Sequence, residues 1–191
     1  MNNKFFSKHQ LELQKKHGGL RVARALHQNR VHEDLEPHEI DFISTSHFFF
    51  IATNGSSGLD ISIKCGFPNF VTVSKNRLYW EELDGNRMYK TVGNINETGV
   101  ASLLFVNFFI SEPQKTGPNS VNVLRLNGKA KQIEKSIEHK EPAIEFSVKK
   151  IIPNCPRYLP KFGSIQISPF LQEELTPEWK SRDYIKDLLK D

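Results

Sequence analysis

Cysteine, methionine and tryptophan each occur only twice in these 191 residues. Cys65 and Cys155 stand far apart, so they form neither a disulfide framework nor a metal site by themselves, and two reduced thiols are expected. Long apolar runs are missing as well. The longest, at 48–52 and 100–106, are strand-sized and fall well short of the roughly 20 residues that cross a bilayer as a helix. No apolar stretch follows Lys4 at the N-terminus, where Ser7-Lys8-His9-Gln10 is polar. A secretory leader is therefore not expected, and a cytoplasmic setting is. There is no G-x-S-x-G elbow, no P-loop and no G-x-G-x-x-G turn, which excludes the commonest hydrolase and nucleotide signatures. Six of the seven histidines precede residue 50, at spacings that fit no metal motif, and His32 and His38 read as surface residues.

Charge of one sign is only mildly in excess, with a net charge of +4. Lys4, Lys8, Lys15, Lys16, Arg21, Arg24 and Arg30 face one acid, Glu12, within the first 30 residues; Glu33, Asp34, Glu36, Glu39 and Asp41 follow. The basic block has Phe5 and Phe6 at its start and no interleaved aromatics after them. It reads as a solvated helix face and not as a nucleic-acid surface.

What the chain does have is aromatic bulk, with 14 Phe and 4 Tyr, arranged with changing periodicity. Residues 7–28 carry a helical stripe that Gly18-Gly19 splits in two, and Pro37 sits where a first helical turn accepts it. A helical arm over 1–45 is expected. From 46 the period becomes two. Strands are predicted at 48–53 and 59–64, joined by Asn54-Gly55-Ser56-Ser57-Gly58, then at 70–74, 78–82, 100–109, 121–133 and 143–152. A short helix is predicted at 87–97, and Asn127-Gly128 marks a bulge or a turn. Pro153–Pro160 is turn-rich and 170–191 is a polar helical tail. Six or seven hairpin-linked strands with helical arms predict one mainly β domain: an antiparallel barrel over 46–160 and a tail over 161–191.

The stretch from Asp84 to Ile95 carries the chemistry. Met88, Val92 and Ile95 share one helical face and predict a core-facing stripe. Arg87, Lys90, Thr91 and Asn94 share the neighbouring face. Two cations and a hydroxyl near a helix N-terminus suit an anion such as phosphate. Lys64, ending the polar face of its strand, adds a third cation. Cys155 reads as a buried thiol, not as a nucleophile.

These pieces, in this order, resemble the pyridoxamine 5′-phosphate oxidase-like flavoproteins. Gly66-Phe67-Pro68-Asn69-Phe70-Val71 is similar to the family's Gly-x-Pro-Gly-Phe-Val segment, with Asn69 where Gly is usual. Asp84-Gly85-Asn86-Arg87 through Gly93-Asn94-Ile95 resembles its Gly-Asn-Arg phosphate segment. Leu103-Leu104-Phe105 and 124–130 resemble the two strands that follow, so the likeness spans about 47–133. The resemblance implies an FMN-binding split β-barrel that works as a homodimer, with FMN at the subunit interface. It places Lys64, Arg87 and Lys90 on the phosphate, Asn86 and Thr91 nearby, and the Ser62-Ile63-Lys64 backbone beside the flavin ring. Asn154-Cys155-Pro156-Arg157-Tyr158 resembles a further family segment, which makes Arg157 and Tyr158 contacts near flavin or substrate. Arg125 or Arg157 would meet an anionic substrate group. The chain ends in Asp187-Leu188-Leu189-Lys190-Asp191 and does not match the Arg-rich ending of the true oxidases, so the substrate stays open. A flavin-dependent oxidoreductase leads this reading. A flavin carrier or sensor, a haem-handling protein and a deazaflavin cofactor are the alternatives.

Overall fold

The structure is a computed structural model that describes residues 5–83, 85–109, 121–134, 143–155, 159–160 and 162–163. The arm begins with α1 (Lys8–Lys16) and α2 (Leu20–Arg30), separated where Gly18 takes a positive φ of 70°. Ser7 and Gln10 close a capping box on α1. Neither helix buries a residue, so this part of the arm lies on the surface. Then α3 (Pro37–Thr45) starts with proline in its first turn and a Glu36/Glu39 capping box, and it buries Ile43 and Glu39.

Seven strands follow: β1 (Phe48–Gly55), β2 (Gly58–Cys65), β3 (Thr72–Ser74), β4 (Arg77–Glu81), β5 (Val100–Val106), β6 (Val123–Ile133) and β7 (Ala143–Pro153), with α4 (Lys90–Thr98) between β4 and β5. They form one antiparallel sheet in the order β2-β1-β5-β6-β7-β4-β3. The mainly β, antiparallel class expected from the sequence is the one observed.

The sheet is rolled. Strands β1 and β4 are four places apart in it, which in a flat sheet is a separation of roughly 19 Å. Yet the ring centroids of Phe49 on β1 and Trp80 on β4 are 5.1 Å apart. Phe49, Trp80, Phe105 and Phe146, with Leu78, Leu103, Leu124, Leu126 and Ile151, fill the enclosed space as one core cluster. Burying each such side chain stabilises the fold by about 1.5–3 kcal/mol. The edge strands β2 and β3 are not neighbours in the sheet, so the barrel stays split on that side.

Three local features shape the sheet and its split. Helix α4 is clamped to the β1–β2 hairpin: Asn94 Nδ2 donates to Thr53 Oγ1 at 3.1 Å and Thr98 Oγ1 to the Asn54 carbonyl at 2.7 Å. Gly55 permits this approach, since a Cβ there would lie 2.3 Å from Asn94 Oδ1. Asn69 has a φ of 70°, in the left-handed region that asparagine tolerates better than most residues. Asn127/Gly128 is a register shift within β6, so the Asn-Gly pair is a bulge and not a turn.

Other expectations need correcting. The helix predicted at 87–97 starts later, at Lys90, because Arg87 and Tyr89 both have positive φ. Met88 consequently falls outside the helix and is 66% exposed instead of core-facing. Strand β3 begins at Thr72, two residues after the predicted start, because Phe70 closes the turn with its N–H donating to the Phe67 carbonyl at 2.9 Å. β5 ends at Val106 and β6 begins at Val123, inside the predicted limits of 109 and 121. The helical tail at 170–191 lies outside the described residues.

Candidate functional site

Strand β2 reverses the usual sidedness of a half-buried strand, in which apolar residues face in and polar ones face out. Leu59, Ile61 and Ile63 point outward at 83%, 72% and 51% exposure. Asp60, Ser62 and Lys64 point the other way, toward α4 and the split. There they line a cavity of about 360 Å³ together with Glu82, Leu83, Asn86, Tyr89, Lys90 and Thr91. Five of the residues singled out from the sequence meet here: Ser62, Lys64, Asn86, Lys90 and Thr91.

The cavity opens on the N-terminus of α4. Its N-cap, Tyr89, is left-handed and makes no side-chain capping bond. The first N–H groups of a helix have no partner within it, and the helix dipole adds partial positive charge at that end. Just before it, Met88 N–H donates to Asn86 Oδ1 at 3.0 Å in an Asx-type turn. Arg87 and Tyr89, at φ 58° and 51°, are held in a conformation that costs a side-chain-bearing residue about 1–2 kcal/mol each. Thr91 Oγ1 donates to Asp60 Oδ2 at 3.1 Å and lies 3.0 Å from Ser62 Oγ. Lys64 forms an ion pair with Glu82 across the split, and the second carboxylate oxygen of Glu82 is buried without a hydrogen-bond partner.

Asp60 and Glu82 are the members that sequence reasoning missed. Asp60 was within reach, since it alternates with Ser62 and Lys64 on one strand face. Glu82 shares the face of Leu78 and Trp80 in the predicted 78–82 strand, but nothing in the sequence brings it beside Lys64. Of the remaining predicted residues, Arg87 is exposed beside the cavity and does not line it. Ile63 turns its side chain outward and does not line the cavity. Arg125 is exposed on β6, opposite Leu104 and Ile152, and does not reach this cavity. Arg157 and Tyr158 lie outside the described residues. Thr91 and Asn94, expected on a polar helix face, are buried and engaged with β2 and β1.

Both cysteines are free and exposed, which corrects the expectation of a buried Cys155. Partial burial pushes the Cys65 thiol up from its ordinary value, so it stays protonated and weakly nucleophilic at neutral pH.

A second cavity of about 600 Å³ lies under the arm, where His27, His32 and His38 meet Phe5, Phe6 and Cys155. His32 and His38 are half-buried and paired, not surface residues: His32 Nε2 lies 3.0 Å from the buried Glu39 and His38 Nδ1 3.4 Å from Glu36. His32 Nδ1 lies 3.1 Å from the Arg30 carbonyl, so both its ring nitrogens already face acceptors. Backbone bonds from His32 to Ile151 and back pin the end of the arm to β7. His32 is thus a clasp between arm, α3 and sheet. Among the described residues, no group of three or more His, Cys, Asp or Glu is arranged to hold a metal ion. No helix among them is long and apolar enough to cross a membrane.

No protein-family model matches the chain, and no curated protein matches it. Solved structures similar to it include HupZ of Group A Streptococcus, at 15% identity and a TM-score of 0.45 over 68% of this chain and all of that one. A proposed pyridoxamine 5′-phosphate oxidase from Lactobacillus delbrueckii is similar at 13% identity and a TM-score of 0.43, over 63% of this chain and 98% of that one. An FAD binding protein from Mycobacterium smegmatis follows at 8% identity and a TM-score of 0.39, over 62% and 95%.

Proposed function

We propose that the cavity at the barrel split is the phosphate end of an FMN site, and that the protein is a flavin-dependent oxidoreductase acting as a homodimer. The observation that carries this reading is the convergence of Lys64, Lys90, Ser62, Asn86 and Thr91 on the uncapped N-terminus of α4. The donors that suit a phosphate are the backbone N–H groups of the helix end and the ammonium groups of Lys90 and Lys64, the latter shared with Glu82, while the Thr91 hydroxyl is given to Asp60 and Ser62 lies against it. Arg87 adds long-range attraction from the cavity rim.

Bound FMN would supply the hydride chemistry. The chain's own part is to bind, orient and exclude water. Because β2 is an edge strand, the polar backbone groups on its free side are open to a ligand, which suits the role given to Ser62-Ile63-Lys64. Arg157 and Tyr158 remain the contacts proposed near flavin or substrate. Arg125, standing apart from the cavity, would meet an anionic substrate only across a dimer.

The outward face of β2 supports that dimer. Leu59, Ile61 and Ile63 form an apolar stripe on an edge strand, and exposed Met88 and Tyr89 extend it to the cavity mouth. Such a stripe is an association surface if left uncovered. A second copy laid there would close the cavity. Ile61→Asp should therefore turn a dimer into a monomer in size-exclusion chromatography with light scattering, and should weaken FMN binding along with it. A dimer of unchanged stability would place the interface elsewhere.

The deciding experiment is an absorption spectrum of the purified protein, followed by titration with FMN read by quenching of flavin fluorescence. A flavin spectrum, or saturable quenching, is expected. A colourless protein that leaves FMN fluorescence unchanged would overturn the reading. Haem taken up instead would move attention to the cavity under the arm, and a deazaflavin would be recognised by its own spectrum. Where FMN binds, cycles of reduction by NADH or NADPH and reoxidation mark an oxidoreductase; binding without turnover marks a carrier or sensor.

A further inference from the structure

The arm is fastened to β7 at two places. Near its start the Lys150 ammonium lies 5.0 Å from the centre of the Phe5 ring. Further on, His32 and Ile151 exchange two backbone hydrogen bonds, at 3.3 and 2.8 Å. Between these points α2 runs beside the sheet without packing onto it, and it buries no residue. Ala23, Leu26, His27 and Arg30 nonetheless share one face of α2, at positions i, i+3, i+4 and i+7, and all four line the cavity of about 600 Å³ under the arm. Val121, Val123 and Ile152 line it from the sheet. An apolar helix face held over an apolar wall, and not closed upon it, leaves favourable burial unrealised: Leu26 remains 54% exposed. Small organic ligands occupy cavities of about 300–1,000 Å³, and this one lies in that range.

Two features define the chemistry of such a ligand. One is a cluster of rings in the cavity wall. Phe5 and His27 stack with centroids 4.2 Å apart and planes 15° from parallel, and Phe6 stands edge-on to Phe5 at 4.7 Å. A flat ring extends a cluster of this kind by stacking or by edge contact. The other feature is charge. The two acids in the wall are already engaged: Glu39 accepts from the Glu36 N–H and lies 3.0 Å from His32 Nε2, while Glu36 closes the α3 capping box and lies 3.4 Å from His38 Nδ1. The Arg30 guanidinium, by contrast, has no partner among the described residues. A planar fork of donors, open beside an aromatic-lined cavity, matches a carboxylate, which it grips with two parallel hydrogen bonds.

We propose that the cavity under the arm is a second ligand site, built for a small aromatic carboxylate, with Arg30 on the carboxylate and the Phe5, Phe6 and His27 rings against the aromatic body. The site shares no residue with the cavity at the barrel split and does not depend on the flavin reading. Cys155 is free, exposed and part of the cavity wall, so a bound ligand covers its thiol. Cys65, also free and exposed, lines a different cavity and is the internal control.

The probes are 1-pyrenecarboxylate and its neutral counterpart 1-pyrenemethanol, titrated against the full chain by their own fluorescence, with iodoacetamide labelling of the two cysteines read by mass spectrometry. The carboxylate should bind roughly tenfold more tightly than the alcohol, and it should slow labelling of Cys155 but not of Cys65. Arg30→Gln should remove the preference by weakening the carboxylate alone. Arg30→Lys should keep part of it, because lysine retains the charge without the fork. Ala23→Trp, on the same face of a helix that buries nothing, should fill the cavity and weaken both probes together. Equal affinity for the two probes, a preference that survives Arg30→Gln, or binding that leaves Cys155 labelled at its free rate overturns the proposal. Competition between the carboxylate and FMN also overturns it, since that would place the probe at the barrel split.

Discussion

Replacing Lys64 and Lys90 together by alanine should weaken FMN binding at least a hundredfold while leaving riboflavin binding nearly unchanged. Both ammonium groups line the cavity into which the N-terminus of α4 opens. A hydrogen bond to a charged group contributes about 1.5–3 kcal/mol, so each lysine accounts for roughly one to two factors of ten. Lys90→Ala alone is the cleaner variant, since Lys90 is exposed and its loss leaves no buried charge unpaired. Lys64→Ala also leaves the Glu82 carboxylate half-buried without its partner, so a drop in stability accompanies it. Comparison with riboflavin separates the two effects: a damaged fold loses both flavins, whereas a lost phosphate clamp loses only FMN. Arg87→Ala, just outside the cavity, should cost less than either lysine and should lose its effect as salt is raised, because an exposed charge acts through a screened field. Equal affinity of the double variant and the wild-type protein for FMN, measured by fluorescence titration, would refute the phosphate assignment.

The sequence announced the elements more clearly than it announced their facing. Alternation placed β2 and put Ser62 and Lys64 on one face, but not which face turns inward. Burial usually goes to the apolar side, and here Leu59, Ile61 and Ile63 are outside. Only the docking of α4, through Thr91 onto Asp60 and Ser62, decides the matter, and that is a contact 31 residues apart in sequence. The start of α4 was misplaced for a similar reason. Period counting carried the helix back to Arg87, whereas the left-handed backbone at Arg87 and Tyr89 stops it at Lys90. Nothing in the side chains of arginine or tyrosine advertises a positive φ. Asn69 is the opposite case. Asparagine in place of the resembled family's glycine is readable as a left-handed residue, and its φ of 70° agrees. The pairing of Glu82 with Lys64 was out of reach because it depends on how the rolled sheet brings β2 beside the end of β4.

Among the described glycines the bulge at Asn127/Gly128 leaves the least space for a Cβ, so Gly128→Ala should be strongly damaging. A Cβ there would lie 2.2 Å from the Ser147 carbonyl oxygen and 2.7 Å from Cζ of Phe146, a fully buried core ring. Neither neighbour is the free end of a flexible side chain. Ser147 belongs to the β4–β7–β6 ladder, and Phe146 is fixed in the core cluster. Relief requires moving the ladder or the core, and overpacking of this kind costs about 3 kcal/mol. For a chain of this size that corresponds to a fall in Tm of roughly 6–12 °C. Gly93→Ala supplies the opposite expectation within the same molecule. Gly93 lies inside α4 on its exposed side, a methyl group added there would meet no atom within 4 Å, and its φ is not positive. Alanine there should raise stability by about 0.8–1 kcal/mol through helix propensity, a gain in Tm of roughly 2–4 °C. Thermal unfolding followed by circular dichroism measures both. If Gly128→Ala unfolded at the wild-type temperature, the bulge would have to be elsewhere in β6 and the alignment of β6 with β7 would change with it. If Gly93→Ala lost FMN while gaining stability, the ligand would have to approach α4 from its exposed side and not from the split.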